Sequence, residues 1–264
     1  MGGAMKTCIA VVLLLFGGVC FAQASPDGKP QNRAAYPESE AVAAWRGLAD
    51  GYVRRALKDQ TLVQERGLNA RVDAVMVAVG GAVAAIDSRF ADASWRAILI
   101  NDFGYGAAAF PGETILVDAK FVHTLQLSDD ELALILSHEA AHVIAGHASV
   151  KLSFMAEFLG KEKVPTARTA LLEFLAKDAY ATAYRPTARL QEREADTVGA
   201  AILFATGYDP QRALGVFDKL AALERRENGQ APDSHDAATV RKQAVAEVFA
   251  ELQGFHARRD PKPR

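Results

Sequence analysis

Cysteine is almost missing from this 264-residue chain: the only two, Cys8 and Cys20, lie in its first twenty residues. A mature chain cut after them has no thiol. It can build no disulfide framework, and any metal must be held by histidine and carboxylate. A basic excess is missing too. Thirty Lys and Arg against 32 Asp and Glu leave a net charge of -2, so the phosphate-neutralising surface of a nucleic-acid binder is not expected. No repeat period stands out. Past the N-terminus no stretch reads as apolar enough to cross a membrane.

What is present is apolar and helix-forming. Half of the residues are hydrophobic and alanine is abundant, which predicts one mostly helical domain with a core of its own. Residues 1–24 read as a signal peptide: Lys6 gives the positive start, residues 8–19 the apolar run, and Ala22-Gln23-Ala24 a small-x-small cleavage site. A periplasmic location follows from that reading. Val19 and Gly18 before Cys20 do not suit a lipoprotein signal, so association with the outer membrane would require lipidation of Cys20 all the same. Residues 25–38 predict a flexible leader, 39–255 the domain, and 256–264 a tail.

Helical spacing predicts helices over 39–62 and 69–90, the second interrupted or bent at Gly80-Gly81. Residues 94–101 read as a strand. Residues 107–110 and 114–117 flank the turn dipeptide Pro111-Gly112, giving a small sheet with a hairpin or bent edge. Ser128-Asp129-Asp130-Glu131 is a capping box that opens a helix running to about His147. Residues 150–184 are mainly helical and form either a lid or a plain core pair. Pro186 predicts the start of a helix ending near Gly207, Asp209-Pro210 starts the next, and a last helix covers about 236–255.

The chemistry gathers in His138-Glu139-Ala140-Ala141-His142. Histidines four apart on a helix share a face and can close on one ion, while Glu139, one position round, is placed to take a proton from water at a zinc site. Leu132, Ile135, Leu136, Val143 and Ile144 make the helix apolar nearly all round, so it is buried, and unpaired histidines there would be costly. A third histidine from the same segment would need Gly three and His six residues beyond His142. Gly146 and His147 stand four and five beyond. A carboxylate from a later helix is needed instead. In Arg189-Leu190-Gln191-Glu192-Arg193-Glu194-Ala195-Asp196, Glu192 and Asp196 share a face. Glu192 can face the metal while Asp196 orients a ligating histidine.

These pieces resemble the zinc peptidases that include HtpX and the CAAX prenyl endopeptidases. Ala109-Phe110-Pro111-Gly112, residues 127–132, the HExxH, the Glu192 to Asp196 segment, and Ser234-His235 with Arg241 come in that family's order. The resemblance implies an α+β, mostly helical, zincin-like metallopeptidase domain of the gluzincin kind, with a small β-sheet and the HExxH helix in the core. It implies one Zn2+ per chain on His138, His142 and Glu192, Asp196 and Arg241 behind them, and a protein or peptide substrate along Ala107, Ala108, Ala109 and Phe110. It places the chain with the soluble periplasmic branch, acting on unfolded or misfolded envelope proteins. Gly106 and Glu113 depart from the family's edge-strand pattern. His235 is expected at the active site, either as a fourth ligand blocking the metal or as a donor to the oxyanion. A zinc-containing chaperone that holds clients without cutting them is the alternative, and the intact Glu139 argues against it.

Overall fold

The structure is a computed structural model describing residues 34–226 and 235–259. The expected signal peptide, most of the expected leader, the segment at Asn228-Gly229, Ser234 and the residues beyond Arg259 lie outside the described residues.

Three short strands form a mixed sheet. β1 (Arg96–Ile100) runs parallel to β3 (Thr114–Asp118), and β2 (Ala107–Phe110) pairs antiparallel with β3, giving the order β1-β3-β2. Every residue of β3 is buried. Its alternation divides the interior: Ile115 and Val117 face one apolar cluster, Leu116 the other. β2 is left as a sheet edge.

The first cluster joins the sheet to α2 (Arg66–Ile86), α4 (Asp129–Ile144) and α7 (Asp178–Thr206). α1 (Glu38–Lys58), α5 (His147–Leu159) and α6 (Ala167–Ala176) cover the other face. The result is the layered α+β architecture expected, with the HExxH helix α4 in the core. The short α3 (Ala119–Thr124) leads from the sheet towards α4. α8 (Pro210–Ala213), α9 (Gly215–Arg226) and α10 (Ala238–Arg259) complete the chain. Ahead of α1, Tyr36 is already buried.

Several local expectations are corrected. α2 is continuous through Gly80-Gly81. Gly80 serves close packing, since a Cβ there would come 3.1 Å from the Trp95 ring. α2 is also long and apolar enough to cross a membrane by composition alone, but Leu68, Val72, Val75, Val79 and Val83 pack into the core. Pro186 lies inside α7 rather than at its start. The carbonyl it leaves without a donor is that of Thr182, on the exposed side of the helix, where water can serve it. α4 stops at Ile144 because Gly146 takes a left-handed φ of 69°, so His147 begins a new helix.

Candidate metal centre

α4 is started by its capping box: Ser128 Oγ accepts from the Glu131 amide at 3.3 Å and Glu131 Oε2 accepts from the Ser128 amide at 2.7 Å. Such a cap contributes about 1 kcal/mol. More to the point, it sets the register from which His138, Glu139 and His142 project. α7 lies across α4 and carries Glu192 and Asp196. Their crossing is close at Gly199, where a Cβ would sit 2.8 Å from the His138 Cα.

The crossing brings four groups together. Nε2 of His138 and Nε2 of His142 are 3.1 Å apart. Glu192 Oε2 lies 3.2 Å from His138 Nε2, and its Oε1 lies 3.6 Å from His142 Nε2. His235 brings Nε2 to 2.7 Å from Glu192 Oε2. Ligand atoms of His138, Glu192 and His235 all lie within 4.8 Å of one another. Ligands held 2.0–2.1 Å from one tetrahedral ion stand about 3.3 Å apart, so the His138–His142–Glu192 spacings fit zinc. A second observation agrees. Glu192 Oε2 is buried without a hydrogen bond of ordinary geometry, despite two imidazole nitrogens nearby. Close approach without hydrogen-bond alignment is what atoms aimed at a shared ion present.

Each α4 histidine is fixed from behind. His138 Nδ1 meets Asp196 Oδ1 at 3.0 Å. Asp196 in turn accepts from Nε and Nη2 of Arg241 at 2.8 and 2.7 Å, a bidentate pair reaching from α10. His142 Nδ1 meets His147 Nδ1 at 2.8 Å, and His147 Nε2 meets Glu194 Oε2 at 3.2 Å. The turn at Gly146 is what folds His147 back onto His142. The relay ending on Glu194 is not visible from spacing, because it crosses from α5 to α7.

The electrostatics follow from this wiring. Burial disfavours a charge on His138, but Asp196 and Glu192 override it and push its pKa up to about 10. Burial would raise Glu192, yet His138, His142 and His235 hold it well below the usual carboxylate range. Asp196 is likewise held low, against burial, by Arg241 and His138. His147 is pulled down by burial, with Glu194 opposing.

Glu139 stands apart from the ligands. Its Oε2 accepts from the Ala109 amide at 2.8 Å, which ties it to the sheet edge. Ala107 and Ala109 pair opposite Val117 and Ile115, while the Asp118 amide donates to Gly106 O at 2.9 Å. By antiparallel alternation, Ala107 and Ala109 turn their backbone groups away from β3, and Ala108 and Phe110 turn theirs towards it. Phe110 is buried, 6.4 Å from the Trp45 ring by centroids. A cleft of about 700 Å³ runs beside this edge past His138, Glu139, His142 and Glu192.

A small mixed sheet whose edge faces an HExxH helix, with a glutamate from a second helix completing a His/Glu cluster, defines a zincin-like domain. The model for peptidase family M48 matches residues 67–252, and the chain belongs to that family. Among curated relatives, it is 27% identical to the mitochondrial metalloendopeptidase OMA1 of Arabidopsis thaliana, over 59% of this chain and 32% of that protein. It is 23% identical to the Saccharomyces cerevisiae OMA1 over 66% of this chain and 52% of that protein. With a putative beta-barrel assembly-enhancing protease of Vibrio cholerae the figures are 26%, 65% and 37%. The chain thus spans about a third to half of the length of these relatives.

Proposed function

We propose that this chain is a zinc-dependent endopeptidase that cuts extended segments of unfolded or misfolded proteins of the cell envelope, and that it works in the periplasm. The observation that carries the reading is Glu139, held by the Ala109 amide between the His138–His142–Glu192 cluster and β2, the edge strand of the sheet among the described residues. A zinc ion on those three side chains would supply Lewis acidity toward a peptide carbonyl and toward water. Glu139 takes the proton from the attacking water on its carboxylate and returns it to the leaving amine. The N–H and C=O of Ala107 and the C=O of Ala109 can bind an extended peptide as an added strand, the Ala109 N–H being held by Glu139, and backbone binding of this kind favours unfolded clients with little sequence preference. The signal-like N-terminus and the likeness to a protein named for beta-barrel assembly support the envelope as the setting.

Metal removal tests the reading. Chelation is expected to abolish cutting of a labelled unfolded protein, and about one zinc per chain to restore it. In the metal-free protein His138 keeps a proton up to about pH 10, so zinc loading should release a proton and weaken by about tenfold per pH unit on acidification from neutrality. Zinc titrations at several pH values read this directly. Cutting that survives complete metal removal would sink the proposal.

His235 supports a second, latent state. At 2.7 Å from Glu192 Oε2 it can take a place at the metal that substrate or water needs. His235→Ala is then expected to speed cutting several-fold with zinc content unchanged. A slower variant would instead give His235 the oxyanion role. A zinc-loaded wild type that prevents aggregation of unfolded clients while neither it nor His235→Ala cuts them would favour the chaperone.

A further inference from the structure

The cleft continues beyond the metal ligands into a pocket walled by aromatic rings, and a lysine stands inside it. Lys151 projects from α5, with Nζ 5.4 Å from the Trp45 ring centre, 5.1 Å from that of Phe174 and 5.7 Å from that of Tyr184. These rings are held in place. Phe174 meets Tyr184 edge to face at 5.7 Å, Tyr184 Oη donates to Gln191 Oε1 at 2.7 Å, and Trp45 Nε1 donates to Ala148 O at 3.3 Å. All four side chains line the same cleft as Glu139 and Glu192.

An ammonium carries three N–H donors. Among the described residues, no oxygen accepts a hydrogen bond from Lys151 Nζ, and no carboxylate pairs with it. Ring faces attract the cation, but they offer its N–H groups no oxygen acceptor. Burial pulls the Lys151 pKa down and Glu192 pulls the other way. Glu192 itself is committed to His138, His142 and His235. Besides the histidines, the other charged groups on the cleft wall are Glu38, Glu113, Glu139 and Arg185, and Glu139 accepts from the Ala109 amide. A half-buried cation in an apolar cage that opens to the cleft is placed to pair with an anion on a bound ligand.

We propose that Lys151, in its cage of Trp45, Phe174 and Tyr184, is a specificity-determining residue that takes a carboxylate of the bound peptide. The assignment rests on the peptidase reading, in that the ligand of this cleft is a polypeptide. Two sources of the carboxylate fit: an acidic side chain, whose methylenes would lie against the rings, or a free C-terminus.

Binding is measured by fluorescence anisotropy on the zinc-loaded Glu139→Gln protein, so that no peptide is consumed. Peptides differ only in Glu against Gln at successive positions, or in a free against an amidated C-terminus. One pair is expected to differ by about tenfold in Kd at low salt, and which pair does so identifies the source. Lys151→Met should bring that ratio close to one, and Lys151→Glu should invert it. Equal binding within every pair, or a preference that survives Lys151→Met, overturns the assignment. The pairs measured on the Lys151-containing protein carry the test even where a variant misfolds. Lys151-dependent binding of the acidic peptides together with no cutting by either the wild type or His235→Ala would remove the peptidase reading and leave the carboxylate site standing.

Discussion

Glu139→Gln is expected to slow cutting of an unfolded protein by about 10²–10⁴-fold, the usual worth of a general base, while zinc stays bound. The substitution isolates the proton. Glutamine has the shape of glutamate, and its amide oxygen can still accept from the Ala109 amide now 2.8 Å from Glu139 Oε2. The tie between α4 and the sheet edge is therefore kept. Glu139 contributes nothing to the 3.1–3.6 Å cluster of His138, His142 and Glu192, so metal analysis should find the same zinc in both proteins. What glutamine cannot do is take a proton from water and hold it until the amine leaves. Initial rates on a fluorescein-labelled unfolded substrate, beside zinc content for the same samples, make the measurement. A fall of less than tenfold with zinc retained would place the base elsewhere, and His235 would be the next side chain to remove.

The parts of the site that could be read from the sequence are those set within one helix. A spacing of four from His138 to His142 puts both rings on one face of α4, and the same spacing from Glu192 to Asp196 does so on α7. The capping box at Ser128 was legible for the same reason, because all its contacts are local. What could not be read depends on how elements cross. The pairing of His147 with Glu194 requires a turn at Gly146 and a neighbouring α7. The cage around Lys151 draws one ring from each of α1, α6 and α7. Local rules also failed where tertiary surroundings outweighed them. Gly80-Gly81 reads as a bend, yet the helix is continuous because Trp95 fills the space a Cβ would take. Pro186 reads as a helix start, yet α7 runs through it where the orphaned carbonyl faces water.

Gly199→Ala should be the most damaging small substitution outside the ligands themselves. On an exposed helix the change would be stabilising, by about 1 kcal/mol, because alanine is the better helix former. Here the added Cβ would stand 2.8 Å from the Cα and 2.9 Å from the N of His138. The atoms it meets are backbone, so no side chain can swing aside. α4 and α7 must separate, and they carry opposite halves of the metal centre: His138 and His142 on one, Glu192 and Asp196 on the other. Overpacking of this kind costs about 1–3 kcal/mol, which in a domain of this size lowers Tm by about 2–4 °C per kcal/mol. The strain falls on the contact between Asp196 and His138, 3.0 Å across the same crossing. Zinc affinity is therefore expected to drop by about tenfold or more, the loss typical when the partner orienting a ligating histidine is disturbed. Thermal unfolding with and without zinc separates the two effects, since the zinc-induced rise in Tm should shrink in the variant. A variant with a higher Tm and an undiminished zinc response would mean that the two helices have slack at this crossing. The close contact at Gly199 would then not be what sets the distance between His138 and Glu192.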